Sequence, residues 1–274
     1  MAEDPNPIIR LLQLEPIGED AFLAPTPTDG PGRLFGGQVA SQSLRAACLT
    51  VGEGRPPHSL HAYFILPGRP GEPLQLDVQR SRDGRSFTTR HVTASQGGKP
   101  IFELVASFHA DEEGFDWQLP APVDIPAPDS LAAPELPSFL RVSLPFDIRL
   151  VEPPQPGKFP ITHPFWIRSR GPVGDDPALH ACVMTFLSDM GVVASARAPG
   201  SSIPMFAGAS LDHAMWFHRP ARADEWLLFS VEPVSNHGAR GLARGSLHTE
   251  TGVLAASMAQ EALLRPAGEQ VPTP

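Results

Sequence analysis

Asp189 stands where a carboxylate is costly, at the end of the apolar segment ALHACVMTFLSDM. The spacing of apolar residues predicts a helix over Ala178 to Met190, with Asp189 in its last turn, where the helix dipole disfavours a negative charge. Burial and the dipole would both raise the pKa of this carboxyl toward the range of a general base. The alternative is an aspartate that caps the following turn or faces solvent.

Two further polar residues in the C-terminal half invite the same question. Gln260 lies in VLAASMAQEAL, where strand alternation places it on the apolar face of Ala256 and Met258. A primary amide there must be hydrogen-bonded, either within the fold or to a ligand. Ser210 opens SLDHAMWFHRP and is either a strand-end hydroxyl or a catalytic one. Asp212, on the strand face predicted for Ser210, is a competing carboxylate.

Candidate ligand-binding residues lie at the first helix and around the repeated strands. Gly36 and Gly37 would let a ligand approach the free N–H groups of a helix start, or they form only a tight turn. His58 is one of four histidines beside the repeated strands, each a packed ring or a catalytic group, the others being His61, His213 and His218. Arginines could bind phosphates, or lie solvated on the surface: Arg33, Arg80, Arg82, Arg85, Arg219 and Arg222.

The elements that position these residues occur twice, in the same order. A helix predicted over Gln38 to Val51 precedes four alternating strand segments, and the helix over Ala178 to Met190 precedes four more. Phe64 aligns with Phe217 and Gly84 with Gly238, a shift of about 153 residues. This duplication predicts an α+β fold in which two antiparallel sheets each wrap one helix and pair edge to edge.

A proline-rich segment near the middle of the chain predicts the domain boundaries. Prolines cluster between residues 119 and 160, in LPAPVDIPAP and VEPPQPGKFP, which predicts a surface connector. We therefore expect an N-terminal domain over 1–115, a linker over 116–160, and a C-terminal domain over 161–274 that holds the candidate catalytic residues.

The composition of the chain disfavours some classes of binding partner and bears on its location in the cell. The chain has 274 residues, 41% of them hydrophobic, and a formal net charge of -9, which disfavours nucleic acid or an anionic membrane as the main partner. Cys48 and Cys182 sit in apolar segments and are expected to be buried free thiols. The sequence shows neither a signal peptide nor an apolar run of membrane-spanning length, so a cytoplasmic location is expected.

Several common catalytic motifs are missing from the sequence. It contains no G-x-S-x-G, no H-E-x-x-H, no P-loop and no complete G-x-G-x-x-G. A serine hydrolase of that motif class, a zinc protease of that class and a dinucleotide-binding enzyme are therefore disfavoured.

Taken together, a set of motifs resembles the bacterial acyl-CoA thioesterase II (TesB-like) family, which is related to peroxisomal acyl-CoA thioesterases. The resemblance covers nearly the whole chain and is carried by RLFGGQVASQSL, HSLHAYFILPG, RDGRSFTTRHVTASQGGKPIFELVASF, FLSDMGVV, SLDHAMWFHRP and TGVLAASMAQEALLR. It implies a double hotdog, two fused hotdog domains with their helices inside a continuous antiparallel sheet.

The resemblance also assigns roles. Asp189, Ser210 and Gln260 fall on the family's catalytic positions, with Ser210 in place of the threonine of the best-known bacterial members. It implies hydrolysis of a fatty acyl-CoA by direct attack of water, with no metal or cofactor. Independently of the resemblance, substrate contacts are expected from Gly36, Gly37, His58, Arg85 and Arg219, with the helix N–H groups near Gly36 and Gly37 polarising the thioester carbonyl. Association into homo-oligomers is expected as well. The alternatives are a non-catalytic acyl-CoA-binding protein and an enoyl-CoA hydratase, which typically needs an Asp–His pair in a recognisable motif.

Overall fold

The computed structural model describes residues 6–28, 32–136, 145–153, 160–201 and 208–265. Parts of the predicted linker (137–144 and 154–159) and the end of the predicted C-terminal domain (266–274) lie outside these ranges. The first half contains the helices α1 (Pro7–Leu11) and α2 (Gly36–Leu49) and the strands β1 (Glu15–Pro16), β2 (Ala21–Ala24), β3 (Pro57–Phe64), β4 (Leu74–Asp83), β5 (Phe87–Gln96) and β6 (Lys99–His109).

The second half repeats the pattern of a helix followed by long strands. Its helices are α3 (Pro177–Leu187) and the short α4 (Val192–Ser195). Its strands are β7 (Phe146–Leu150), β8 (Phe165–Ser169), β9 (Ala209–Ser210), β10 (Asp212–Phe217), β11 (Leu227–His237), β12 (Arg240–Thr249) and β13 (Leu254–Leu263).

The strands of both halves form one continuous antiparallel sheet. Within the described residues it has 13 strands in the order β1-β2-β4-β5-β6-β3-β10-β13-β12-β11-β8-β7, with β9 also paired to β13. The halves meet where β3 pairs with β10, for example Leu60 with Met215. The predicted double hotdog is therefore confirmed, and the join removes an exposed strand edge from each half.

The two long helices lie inside the curved sheet and pack on each other. The Ser41 hydroxyl on α2 donates to the Cys182 carbonyl on α3 over 2.7 Å. α3 begins where Asp176 caps the N–H of Ala178 ahead of Pro177, a standard helix start. One buried apolar cluster runs through both halves, so the halves share a core.

The predicted linker contributes more than a connection. Trp166, Trp226 and Leu228 form a second buried cluster on the outer face of the sheet, and Ile125 and Leu131 of the linker pack against it. The Trp166 indole also donates to the Pro126 carbonyl over 2.8 Å. The linker therefore covers apolar surface that the second half would otherwise expose.

The predicted linker over 116–160 contains a strand that belongs to the sheet of the second half. β7 lies inside the predicted linker, and it pairs with β8 from Phe146 opposite Ser169 to Leu150 opposite Phe165. Phe146, Ile148 and Leu150 are buried in alternation, a strand pattern that the prolines on either side masked in the sequence.

In the part of the chain that the structure describes, no helix is long and apolar enough to cross a membrane.

Candidate active site at the junction of the two helices

Asp189, Gln260 and Ser210 come together in one hydrogen-bonded cluster on the inner face of the sheet. The Gln260 side-chain nitrogen Nε2 donates to Asp189 Oδ1 over 2.9 Å and to Ser210 Oγ over 2.8 Å. Ser210 Oγ lies 3.5 Å from Asp189 Oδ1, at the outer limit of a hydrogen bond. The cluster thus joins a carboxylate, an amide and a hydroxyl whose hydrogen is only weakly held.

Asp189 lies just past a helix end, where its carboxylate faces inward. α3 ends at Leu187 rather than at the predicted Met190, so Asp189 stands two residues beyond the helix. Gly191 follows with φ +75°, a left-handed conformation that favours glycine and turns the chain away. Asp189 is only 8% exposed, because this turn packs against the start of α2.

The first turn of α2 donates a backbone hydrogen bond to the Asp189 carboxylate. The Gly37 backbone N–H donates to Asp189 Oδ2 over 2.9 Å. We expected the free N–H groups near Gly36 and Gly37 to polarise a substrate carbonyl, but the structure gives the Gly37 N–H to Asp189. A side chain at Gly36 would place its Cβ 2.7 Å from Asp189 Oδ2 and 2.7 Å from Phe64 Cε1. Glycine is therefore required for this close approach.

A β-bulge brings Ser210 to the inner face. Ser210 pairs with Ala262, whereas Ala214 pairs with Ala259, so one extra residue is inserted on the β9–β10 side. The insertion gives Ser210 the same inner face as Gln260 and sends Asp212 outward. The two residues therefore do not share a face, contrary to the sequence-based prediction, because strand alternation cannot reveal a bulge.

Asp212, the competing carboxylate, is occupied elsewhere. Its Oδ1 accepts the backbone N–H of Glu261 over 2.6 Å. Beside the bulge, the Glu261 N–H is thereby hydrogen-bonded to a side chain of the neighbouring strand. The Asp212 side chain points away from the cluster. The structure thus separates two carboxylates that the sequence left as alternatives.

Burial dominates the electrostatics of Asp189. Loss of solvent raises the pKa of its carboxyl above the ordinary 3.8, while His213, Gln260, Gly37 and Ser210 act in the opposite direction. The carboxylate is therefore a stronger base than an exposed aspartate, yet it keeps hydrogen-bond partners that sustain its ionised form.

His213 is the member of the cluster that the sequence did not single out from the other histidines. It lies on β10 and is 1% exposed; its Nδ1 is 2.5 Å from Gln260 Oε1 and its Nε2 is 2.8 Å from Ser188 Oγ. An available signal was its position between Asp212 and Ala214 on the inward face shared with Met215. Both ring nitrogens are used by these two partners, so His213 does not form the Asp–His pair expected of a hydratase.

The structure does not bring the other predicted binding residues to this cluster. His58 hydrogen-bonds Ser107 and lies six residues along β3 from Phe64, roughly 20 Å at the usual strand rise. Arg219 forms an ion pair with Asp116 and donates to the Trp117 carbonyl, which ties down the linker. Arg85 is exposed. All three remain predictions for substrate contacts.

Architecture and site together define a class. Two hotdog halves enclose a buried carboxylate with amide and hydroxyl partners, as in a hydrolase that activates water. A family model described as the acyl-CoA thioesterase N-terminal domain matches residues 24–109, and one described as the C-terminal domain of the same enzymes matches residues 119–264. The chain belongs to the acyl-CoA thioesterase family, and it is an acyl-CoA thioesterase.

Individual relatives agree with this assignment. Acyl-coenzyme A thioesterase 8 of Rattus norvegicus is 37% identical over 286 residues, covering 94% of this chain and 88% of the relative. The crystal structure of an acyl-CoA thioesterase II, TesB2, from Mycobacterium marinum has 37% identity and a TM-score of 0.80, covering 96% of this chain and 100% of that one. A hotdog protein of unknown function from Alicyclobacillus acidocaldarius, 18% identical with a TM-score of 0.76, covers 96% of this chain and 98% of its own and supports the fold alone.

Proposed function

We propose that Asp189, Ser210 and Gln260 catalyse the hydrolysis of a fatty acyl-CoA by direct attack of water on the thioester. The observation that carries this proposal is the cluster itself, in which Gln260 Nε2 bridges Asp189 Oδ1 and Ser210 Oγ at 2.9 and 2.8 Å. Asp189 is the general base, and the Ser210 hydroxyl holds the water or the developing oxyanion. Gln260 donates to both residues and holds them in place.

The proton inventory supports these roles. Asp189 Oδ2 accepts from the Gly37 N–H, while Oδ1 accepts from Gln260 and lies beside the Ser210 hydroxyl. We assign Oδ1 as the oxygen that takes the proton, because it lies on the side where Ser210 would hold the water. The water oxygen bonds to the thioester carbon, the carbonyl becomes an oxyanion, and collapse breaks the carbon–sulfur bond. Asp189 then returns its proton to the coenzyme A thiolate, which restores the carboxylate for the next turnover.

Apolar rings beside the cluster suit the acyl chain. Phe35 and Phe186 have ring centroids 5.0 Å apart, next to the Gly36–Gly37 helix start, and Phe64 lies against Gly36. A fatty acyl group that enters here loses apolar contact with water at the same point where its carbonyl meets Asp189. The acyl chain is therefore placed among these phenylalanines.

Each chain is proposed to hold one active site. Asp189 lies two residues after α3, and the matching position after α2 is Val51. The N-terminal position that matches Gln260 is Ala106 or Ser107, and Ser107 hydrogen-bonds His58. The first half thus supplies Gly37 and the wall of the site, while the second half supplies the acid–base chemistry.

Cytoplasmic location and self-association also remain proposals. An apolar strip on the outer sheet face supports association with a second copy of the chain: Tyr63 is 65% exposed, Val105 43% and Trp216 38%. These residues lie on the neighbouring strands β3, β6 and β10, so the strip crosses the junction of the two halves.

Ser210 gives the first test of the proposed roles. We expect Ser210→Ala to lower kcat about 100-fold with little change in KM, because the water and oxyanion lose a donor that acts mainly in the transition state. Ser210→Thr keeps the hydroxyl and should retain most of the activity. Steady-state release of free thiol from acyl-CoA measures both. Equal rates for Ser210→Ala and wild type would remove Ser210 from the mechanism.

The acid side of the pH profile tests Asp189. Burial raises the pKa of Asp189 above 3.8, and only the ionised carboxylate can accept a proton from water. We therefore expect full activity above that raised pKa and a loss of about tenfold per pH unit below it. Thiol release across acid and neutral pH, with circular dichroism to follow folding, gives the midpoint. A rate that stays constant through the acid range in folded protein would contradict the assignment.

A further inference from the structure

His213 is a buried titratable residue beside the cluster, and the proposed mechanism gives it no role. It is on the inner face of β10, 1% exposed, and it contacts the cluster only through Gln260. The shortest of its contacts joins Nδ1 to Gln260 Oε1, at 2.5 Å, and its other nitrogen faces Ser188 Oγ at 2.8 Å. The hydrogen bond that links His213 to the cluster therefore passes through the amide of Gln260, while a charge on the ring would act on Asp189 directly.

Hydrogen accounting fixes the direction of that contact. The two hydrogens of Gln260 Nε2 go to Asp189 Oδ1 and to Ser210 Oγ. Gln260 Oε1 can only accept, so the hydrogen between it and His213 belongs to Nδ1. Nε2 of a neutral ring then accepts from the Ser188 hydroxyl, in competition with the Thr185 carbonyl, which lies 2.9 Å from the same hydroxyl oxygen. Each polar atom of the amide has a partner in this arrangement, as a buried amide requires.

The alternative orientation of the amide would disable the site. Turning the Gln260 amide over would place its oxygen against Asp189 and its NH2 group against the Nδ1–H of His213. While Asp189 is ionised, its own charge opposes that turn. Once Asp189 has taken a proton from water, the oxygen of a turned amide could accept a hydrogen bond from the protonated carboxyl and stabilise that orientation. His213 then supplies the remaining restraint, because its N–H would face the two N–H groups of the amide.

We propose that His213 is a positioning residue that keeps the Gln260 amide nitrogen toward Asp189 and Ser210 throughout the catalytic cycle. This inference rests on the proposed function of those three residues. The charged groups that face His213 are Asp189 and the adjacent Asp212, and both favour its protonated form, while burial lowers the pKa of its ring. Burial has the larger effect, which favours the neutral ring with its hydrogen on Nδ1.

A double-mutant cycle tests this role. His213→Leu removes the donor and should lower kcat about 10- to 100-fold with KM little changed, the usual cost of losing a residue that orients a catalytic group. In a Gln260→Ala background the same substitution should cost almost nothing more, because its route of action is already gone. His213→Asn keeps an N–H near the position of Nδ1 and should restore most of the turnover.

A matched control comes from another buried histidine. His180 is 4% exposed, and its ring accepts the Ala223 N–H and contacts the Gly174 carbonyl, away from the cluster. His180→Leu should lower the melting temperature without lowering kcat of the folded protein. It thereby separates the cost of losing a packed imidazole from the cost of releasing Gln260.

The possible outcomes are distinct. Full turnover by His213→Leu, or a His213→Leu loss that multiplies the Gln260→Ala loss, overturns the positioning role while leaving the proposed catalytic residues in place. Full turnover by Gln260→Ala overturns the proposed function and this inference with it. If His213→Leu does not fold, His213→Asn decides the matter: a folded His213→Asn with turnover reduced 100-fold also overturns the positioning role.

Discussion

Asp189→Asn is expected to lower turnover of acyl-CoA about 1,000-fold, the contribution typical of a general base. An asparagine cannot take the proton from water. The carboxylate accepts from the Gly37 N–H and from the Gln260 NH2 group, each over 2.9 Å. An asparagine has one side-chain oxygen, so its own NH2 group would face one of these two donors in either orientation. The measurement is free-thiol release from acyl-CoAs of increasing chain length, with circular dichroism to show that the variant is folded.

Asp212→Asn is the matched control for that substitution. Asp212 begins β10, two residues after Ser210, but its Oδ1 accepts the Glu261 N–H, and an asparagine oxygen can do the same. Its turnover should stay near that of wild type. A folded Asp189→Asn that hydrolyses acyl-CoA at the wild-type rate, with Asp212→Asn inactive, would move the base to the carboxylate that the structure places outside the cluster.

Gly37→Ala is expected to damage both the fold and the reaction. A Cβ at this position would lie 2.3 Å from the Phe186 backbone oxygen and 2.6 Å from Phe35 Cε1. Because the first of these atoms belongs to the backbone of α3, α2 and α3 must separate to admit the methyl group. Overpacking of this kind costs about 2–3 kcal/mol, and the separation also withdraws the Gly37 N–H from Asp189. Urea unfolding and thiol release would measure the two effects.

Gly52→Ala provides the control for that prediction. Gly52 follows the same helix, and a Cβ there meets no atom within 4 Å. Its stability and turnover should match those of wild type within about 0.5 kcal/mol, as for most surface changes. A Gly37→Ala variant as stable and as active as Gly52→Ala would show that the close contact between the helices is dispensable.

The sequence predicted the repeat, the two long helices and the eight long strand segments, because each rests on local periodicity and turn chemistry. The turn at Gly97 and Gly98, both at positive φ, is an example of the glycine signal that separates paired strands. β7 was missed because its five residues are flanked by prolines. This edge strand is recognisable only from its pairing with β8, the next strand along the chain, which follows the proline-rich segment.

The candidate site was predicted as far as single residues could show a local misfit. Asp189 beside an apolar helix and Gln260 on an apolar strand face are such misfits, and the structure brings them together. The Gly37 contact joins residues 152 positions apart, so it depends on how the two helices pack. Ser210 depends on a bulge, and His213 on a partner that lies on another strand. These are properties of tertiary structure, which no single segment of the sequence displays.

The central claim is that water attacks the thioester directly, with Asp189 as its base. The most direct measurement is a rapid-quench single turnover that follows coenzyme A and free fatty acid together and records the intact protein mass, for wild type and Asp189→Asn. The account predicts that the two products appear at the same rate and that no acylated protein forms in either variant. Release of coenzyme A ahead of fatty acid, with an acyl group on the protein that accumulates when Asp189 is replaced, would contradict it.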